Sequence, residues 1–293
     1  MRAFLSLTIL LFPTAANAHE GNGVATGWTF DPYVVAPMLI AGGLYAAGVA
    51  RLWSRVGAGR ALSRTRVATF AAGFVLAGLL LLSPLDGLAD RLLSAHMIQH
   101  FGLMLVAAPL LVLGRPGLAS LWAFPPALRP VLGRLGAGTT GRLWRAATHP
   151  LGAWAIYFAV LWAWHVPAIY QRALAHEGIH ALQHASFLGA ALLFWIAVLH
   201  PARGEGRAGA FIVVFATAVQ SCALAALLTT SQALWYPAYA NGTGAWGLSP
   251  MEDQQLGGLI MWVPCCAILL GAAIAVFAGL LRDAEVRAER ATS

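Results

Sequence analysis

Lysine is absent from this sequence: all eighteen basic residues are arginine. Charge of either sign is scarce, at 10% of 293 residues. An average soluble domain carries roughly 25%. With 59% of residues hydrophobic, a water-soluble globular fold is excluded and an integral membrane protein is implied. Only three cysteines are present, Cys222, Cys265 and Cys266, all within apolar runs, which excludes a disulfide framework. Neighbouring residues on a helix point about 100° apart, so Cys265 and Cys266 are poorly placed for joint ligation and read as small apolar fillers. The sequence holds no internal repeat, no low-complexity tract and no soluble domain. A net charge of +7 would suit nucleic acid, but the arginines are scattered between apolar runs. They mark one side of a membrane instead, and no nucleic-acid partner is expected.

What the sequence does contain begins with residues 1–18, which read as a secretory signal, with an uncleaved amphipathic start as the alternative. Arg2 precedes an apolar core, Phe4 to Phe12, and Ala16-Asn17-Ala18 forms a small-residue cleavage site. Residues 19–293 then read as a single domain of seven apolar spans, near 33–53, 66–85, 92–113, 150–169, 179–200, 209–231 and 255–281. A bilayer core needs about 20 apolar residues per helix, and backbone groups cannot go unpaired in lipid, so an all-α, seven-helix transmembrane bundle is expected. Fifteen arginines fall in alternate loops and the tail; only Arg91 and Arg172 fall in the opposite loops. The positive-inside rule therefore predicts a mature N-terminus outside the cytoplasm and a cytoplasmic C-terminus, in a bacterial inner membrane.

This topology gives the histidines their meaning. "HMIQHFG" opens span three with His96 and His100 four residues apart, hence stacked on one helical face. "WAWHVPAIY" ends span four with His165, and "AHEGIHALQHASF" carries His176, His180 and His184 into span five. At 1.5 Å per residue, His96, His100, His165, His180 and His184 fall within roughly the outer 15 Å of the bundle. Any one of them can simply bond a carbonyl on a neighbouring helix. Five from three helices at one depth point further, because polar groups in a membrane are costly and mark functional sites. A shared metal site is expected, and imidazole suits copper, zinc, iron and nickel. Met97 and Met104 lie in the same helix but read as packing.

Other residues nearby have weaker claims. Asp253, at the entry to span seven, is a candidate further ligand, an orienting group behind the imidazoles, or simply a charge that complements a helix N-terminus. Cleavage after Ala18 would leave His19 as the mature N-terminus, whose α-amine and imidazole can chelate Cu(II) together. His149 and His200 precede prolines at span boundaries and read as interfacial, His176 as solvated beside Glu177, and Asp86 and Asp90 as plain loop residues.

Together "HMIQHFGLMLVAAPLLVLGRP", "WHVPAIYQRAL", "HALQHASFLGAALLFW" and "DQQLGGLIMW" resemble the CtaG-type cytochrome oxidase assembly factors, over about residues 33–280. The resemblance implies a non-enzymatic role in maturing haem–copper oxidases: copper held at the outer histidines and passed to an oxidase subunit, or work beside other assembly factors. Two alternatives stay open from the residues themselves. One is a haem protein with axial histidines. The other is a membrane metallo-enzyme with Glu177 or Asp253 as base. A transporter is disfavoured because the inner halves of the spans are almost wholly apolar.

Overall fold

The computed structural model describes residues 27–135, 138–200 and 205–292. The expected signal segment and His19 lie outside the described residues. Those described form no strand; helices account for the architecture. Six long helices are apolar enough to cross a membrane, and a seventh follows if one bent pair counts as a single span. We label them α1 (Pro32–Val56), α2 (Arg64–Leu82), α3 (Leu93–Leu113), α4 (Pro150–His165), α5 (Glu177–Leu199), α6 (Glu205–Thr230) and α7 (Pro250–Thr292).

Proline sets many of the helix starts. Pro32, Pro84, Pro116, Pro150, Pro167 and Pro250 each open a helix, where a missing N–H costs nothing and φ is already helical. Asp31 caps α1 by accepting from the Tyr33 N–H at 2.8 Å. Ser63 caps α2 through the Arg66 N–H at 3.3 Å.

Proline also corrects one expected span. Pro167 drives Val166 out of the helical region (φ −62°, ψ 121°), so α4 stops at His165 rather than running to 169. The chain then bends by 75° into a separate helix, Pro167–Ala175. The span expected at 255–281 is also longer, since α7 runs from Pro250 to Thr292.

Midway through α3 the helix widens into a π-helical stretch, Gly102–Ala107, which starts two residues after His100. Such a wide turn loosens the regular carbonyl ladder. The Trp195 indole N–H of α5 donates to the Met104 carbonyl at 2.8 Å within that stretch. This bond ties α5 to α3 below the histidines. Around it packs the main core, including Met97, Met104, Tyr157, Phe187, Phe194 and Met261. Met97 and Met104 are thus packing residues, as expected.

α6 and α7 run antiparallel and close together. A Cβ added at Gly258 would lie 2.9 Å from the Thr229 nitrogen and 3.1 Å from the Ala225 carbonyl oxygen. Only glycine permits that approach, the device by which membrane helices bring their backbones together. The seam also changes the reading of the cysteines. Cys222 and Cys266 face each other across it, Sγ to Sγ 2.7 Å, so they are cross-helix neighbours rather than isolated fillers. All three cysteines are free thiols. Outward-facing Leu39, Ile40, Val75, Ile212, Phe215, Val263 and Leu270 leave the periphery apolar, as a lipid-facing surface requires.

Candidate metal centre

The bundle gathers the histidines at the end where α3, α5 and α7 begin. Asp253, in the first turn of α7, holds the start of α3. Its carboxylate accepts from the Leu93 N–H at 2.7 Å, the Ser94 N–H at 3.2 Å and the Ser94 hydroxyl at 2.5 Å. Leu92, at the head of α3, gives no side-chain cap of its own. Asp253 therefore caps α3 from another helix, with its negative charge at the positive end of that helix's dipole. Both oxygens are occupied in this way, which makes Asp253 a positioning residue, and fully buried.

One turn further on, His96 and His100 sit on the same face, as their spacing requires. Their Nε2 atoms are 2.9 Å apart. From α5, His180 and His184 approach them: ring centroids lie 5.2 Å apart for His96–His180, 6.0 Å for His96–His184 and 5.1 Å for His100–His184. One nitrogen each from His96, His180 and His184 forms a set within 4.8 Å of one another. Imidazole nitrogens bound at about 2.0–2.1 Å to one ion lie at most about 4 Å apart, so the three need close only slightly to share one. His96, His100 and His184 are buried and His180 is half-buried, opening the set toward the end of the bundle.

His165 stands one ring further away. Its Nδ1 meets its own helix's Leu161 carbonyl at 2.7 Å. Its ring lies 6.4 Å from Tyr170 and 6.4 Å from Phe187, the residues that pack on His96 and His100. Four of the five expected histidines thus converge directly, and the fifth flanks them. His176, Glu177, His149 and His200 are exposed.

The polar inventory of this pocket is incomplete. His100 Nδ1, His165 Nε2, His180 Nε2 and His184 Nε2 are all buried without a hydrogen-bond partner. Buried nitrogens normally find partners. Four imidazole nitrogens left bare in one region form a donor set suited to a metal ion.

Three tyrosines complete the surroundings, and none was picked out from the sequence. The Tyr239 hydroxyl meets His96 Nδ1 at 3.1 Å, and Tyr170 meets Tyr239 at 3.2 Å. Tyr236 donates to the His165 carbonyl at 3.0 Å. Tyr236 and Tyr239 belong to the loop between α6 and α7. Gln254 pins that loop by accepting from the Trp235 N–H at 2.7 Å and donating to the Ala233 carbonyl at 3.0 Å. The only hint in the sequence was the loop's richness in Trp and Tyr. The Asp253-Gln254 pair thus divides its work, one residue setting α3 and the other the lid of aromatic residues. Asp86 is also more than a plain loop residue: it accepts from Gln99 at 2.9 Å and from Thr29 at 3.0 Å, joining α3 to the chain before α1.

The fold and site define a polytopic helical membrane protein with a buried histidine cluster near one end. Residues 43–283 match the family model described as cytochrome c oxidase caa3 assembly factor, and the chain belongs to that family. Among curated proteins it is similar to an uncharacterized protein of Mycobacterium bovis and to one of Mycobacterium tuberculosis. Each is 26% identical over 250 residues, covering 82% of this chain and 37% of the relative. The chain thus spans little more than a third of the length of these relatives. No solved structure matches it.

Proposed function

We propose that the protein is an oxidase assembly factor that takes up copper at His96, His180 and His184 and passes it to a haem–copper oxidase component. His100 and His165 are nearby secondary ligands through which the ion is exchanged. The observation that carries this reading is the set of four buried imidazole nitrogens without partners, two of them on His180 and His184, which with His96 form a group of near-ligand spacing. Membership of an oxidase assembly family narrows the metals that imidazole accepts to the one such oxidases contain in addition to haem iron. Here copper is cargo, so ligands that can be replaced one at a time suit it better than a closed cage. Half-buried His180 is the natural first or last contact.

The arrangement favours this reading over the two alternatives. With ring centroids 4.3–6.0 Å apart and Tyr170 and Phe187 packed against them, the histidines leave no slot for a porphyrin. Against a hydrolytic metallo-enzyme, Asp253 is committed to α3, and His176, the first histidine of the His176-Glu177-Gly178-Ile179-His180 run whose spacing matches the HExxH zinc motif, is exposed and outside the His96, His180 and His184 group. The arginine-rich loops support placing the histidine end outside the cytoplasm, facing the oxidase's copper-receiving domains.

The test is to load the purified protein with Cu(I) and measure bound copper. One copper per chain is expected, falling by at least about tenfold in affinity when His96 and His184 become alanine. Equal copper retention in that variant would overturn the assignment.

A further inference from the structure

At the end of the bundle opposite the histidines, α1 packs against the short helix Pro116–Ala123. A cavity of about 420 Å³ opens there, lined by Arg51, Ser54, Arg55, Pro125, Pro126 and Arg129. At roughly 30 Å³ per water, it has the volume of more than a dozen waters. Three arginines and one serine line it, and no acidic residue is among the described residues that do.

Two of those arginines are held in place. Arg51 donates to the Ala123 carbonyl. Arg129 donates to the Phe124 carbonyl at 3.0 Å and the Trp122 carbonyl at 3.3 Å, and its guanidinium lies 4.1 Å over the Trp122 ring. Arg55 follows Arg51 by one helical turn on α1, on the same side. Fixed stems reduce the rotamer entropy that an arginine loses on binding. Three like charges held together without an acid also repel one another until an anion joins them.

We propose that this cavity binds the phosphodiester headgroup of an anionic phospholipid. Arginine's planar donors match phosphate oxygens in pairs, which accounts for the anion. The surface of α1 accounts for the lipid: on the side of Arg51 and Arg55 that leads toward the middle of the span, Ala50, Ala47, Ala46, Ile40 and Leu39 are exposed and apolar, a path along which acyl chains can lie. A free phosphate would have no use for them. Basic pockets at the arginine-rich ends of membrane helices are the usual receptors for such headgroups. The bound lipid would bridge α1 to the helix Pro116–Ala123 and steady that corner of the bundle. This site is independent of the histidine cluster.

The experiment is native mass spectrometry of the full-length protein in detergent, offered phosphatidylglycerol, phosphatidylcholine or inorganic phosphate. Wild type is expected to retain one phosphatidylglycerol, and the Arg51→Gln, Arg55→Gln variant to bind it about tenfold more weakly. A control variant, Arg142→Gln, Arg145→Gln, removes equal charge from the helix Gly138–Thr148 and is expected to retain the lipid. Should the double variant fold poorly, Arg55→Gln alone leaves the Arg51–Ala123 bond in place and carries the test. Equal retention of phosphatidylglycerol by wild type and variant would overturn the proposal. So would equal binding of phosphatidylcholine, or displacement of the lipid by micromolar inorganic phosphate.

Discussion

Asp253→Ala removes three hydrogen bonds at once from the start of α3. The Leu93 and Ser94 amides lose their acceptor, and the Ser94 hydroxyl must turn elsewhere. Asp253 is fully buried, so water does not easily take its place. Each orphaned buried donor costs about 1–3 kcal/mol, and loss of an N-cap carboxylate at a helix dipole typically costs about 1 kcal/mol. The two descriptions overlap, so a total of about 3–4 kcal/mol is expected. Asp253→Asn keeps one acceptor and the shape while losing the charge, and should cost about half as much. The first turn of α3 frays in the alanine variant, and His96 lies only three residues beyond Leu93. Thermal unfolding in detergent, followed by circular dichroism, should fall by about 5 °C or more for alanine and less for asparagine. Copper affinity should fall in the same order. An alanine variant that melts within about 2 °C of wild type and binds copper normally would refute the reasoning.

Three further predictions follow from particular contacts. Tyr239→Phe deletes the hydroxyl at His96 Nδ1 while keeping the ring; copper affinity should drop about 10–100-fold with the melting temperature nearly unchanged, as read by competition with a Cu(I) chelator. Gly258→Val drives a branched side chain into the Thr229 and Ala225 backbone, and should destabilise the α6–α7 pair by about 1–3 kcal/mol or more, seen as a lowered melting temperature. A reporter that is active only outside the cytoplasm, fused after Ser293, should be silent; activity would reverse the orientation proposed from the arginines.

The helices were legible because lipid leaves little choice: long apolar runs between arginine loops can only be helical spans. The depth of the histidines was legible too, since it follows from helical rise and loop charge. Lateral adjacency was not, because a sequence gives each helix a depth but not a neighbour. His165 shares the depth of His100 yet sits behind Phe187 and Tyr170. Pro167 signalled a boundary, but the 75° bend depends on what the next helix packs against. The π-helical stretch after His100 has no residue signature and is matched by a tryptophan 91 positions away. Asp253 was read as ligand, orienting group or complement to a helix N-terminus; that it caps α3, a helix other than its own, needs a contact 159 or 160 residues distant. Tyr239 and Tyr170 were missed for the same reason, as was the meeting of Cys222 with Cys266.

The most direct test of copper delivery is the copper content of the client oxidase. Cells lacking this protein would be given either wild type or the His96→Ala, His184→Ala variant, under copper limitation, with equal membrane levels confirmed by immunoblot. Interhelical polar bonds in membranes average only about 0.6 kcal/mol, so the variant should insert and fold. The oxidase purified from variant cells should carry its haem but be deficient in copper, with activity partly restored by added copper. Full copper content and normal activity in the variant would show that the histidines are structural and that delivery does not pass through them.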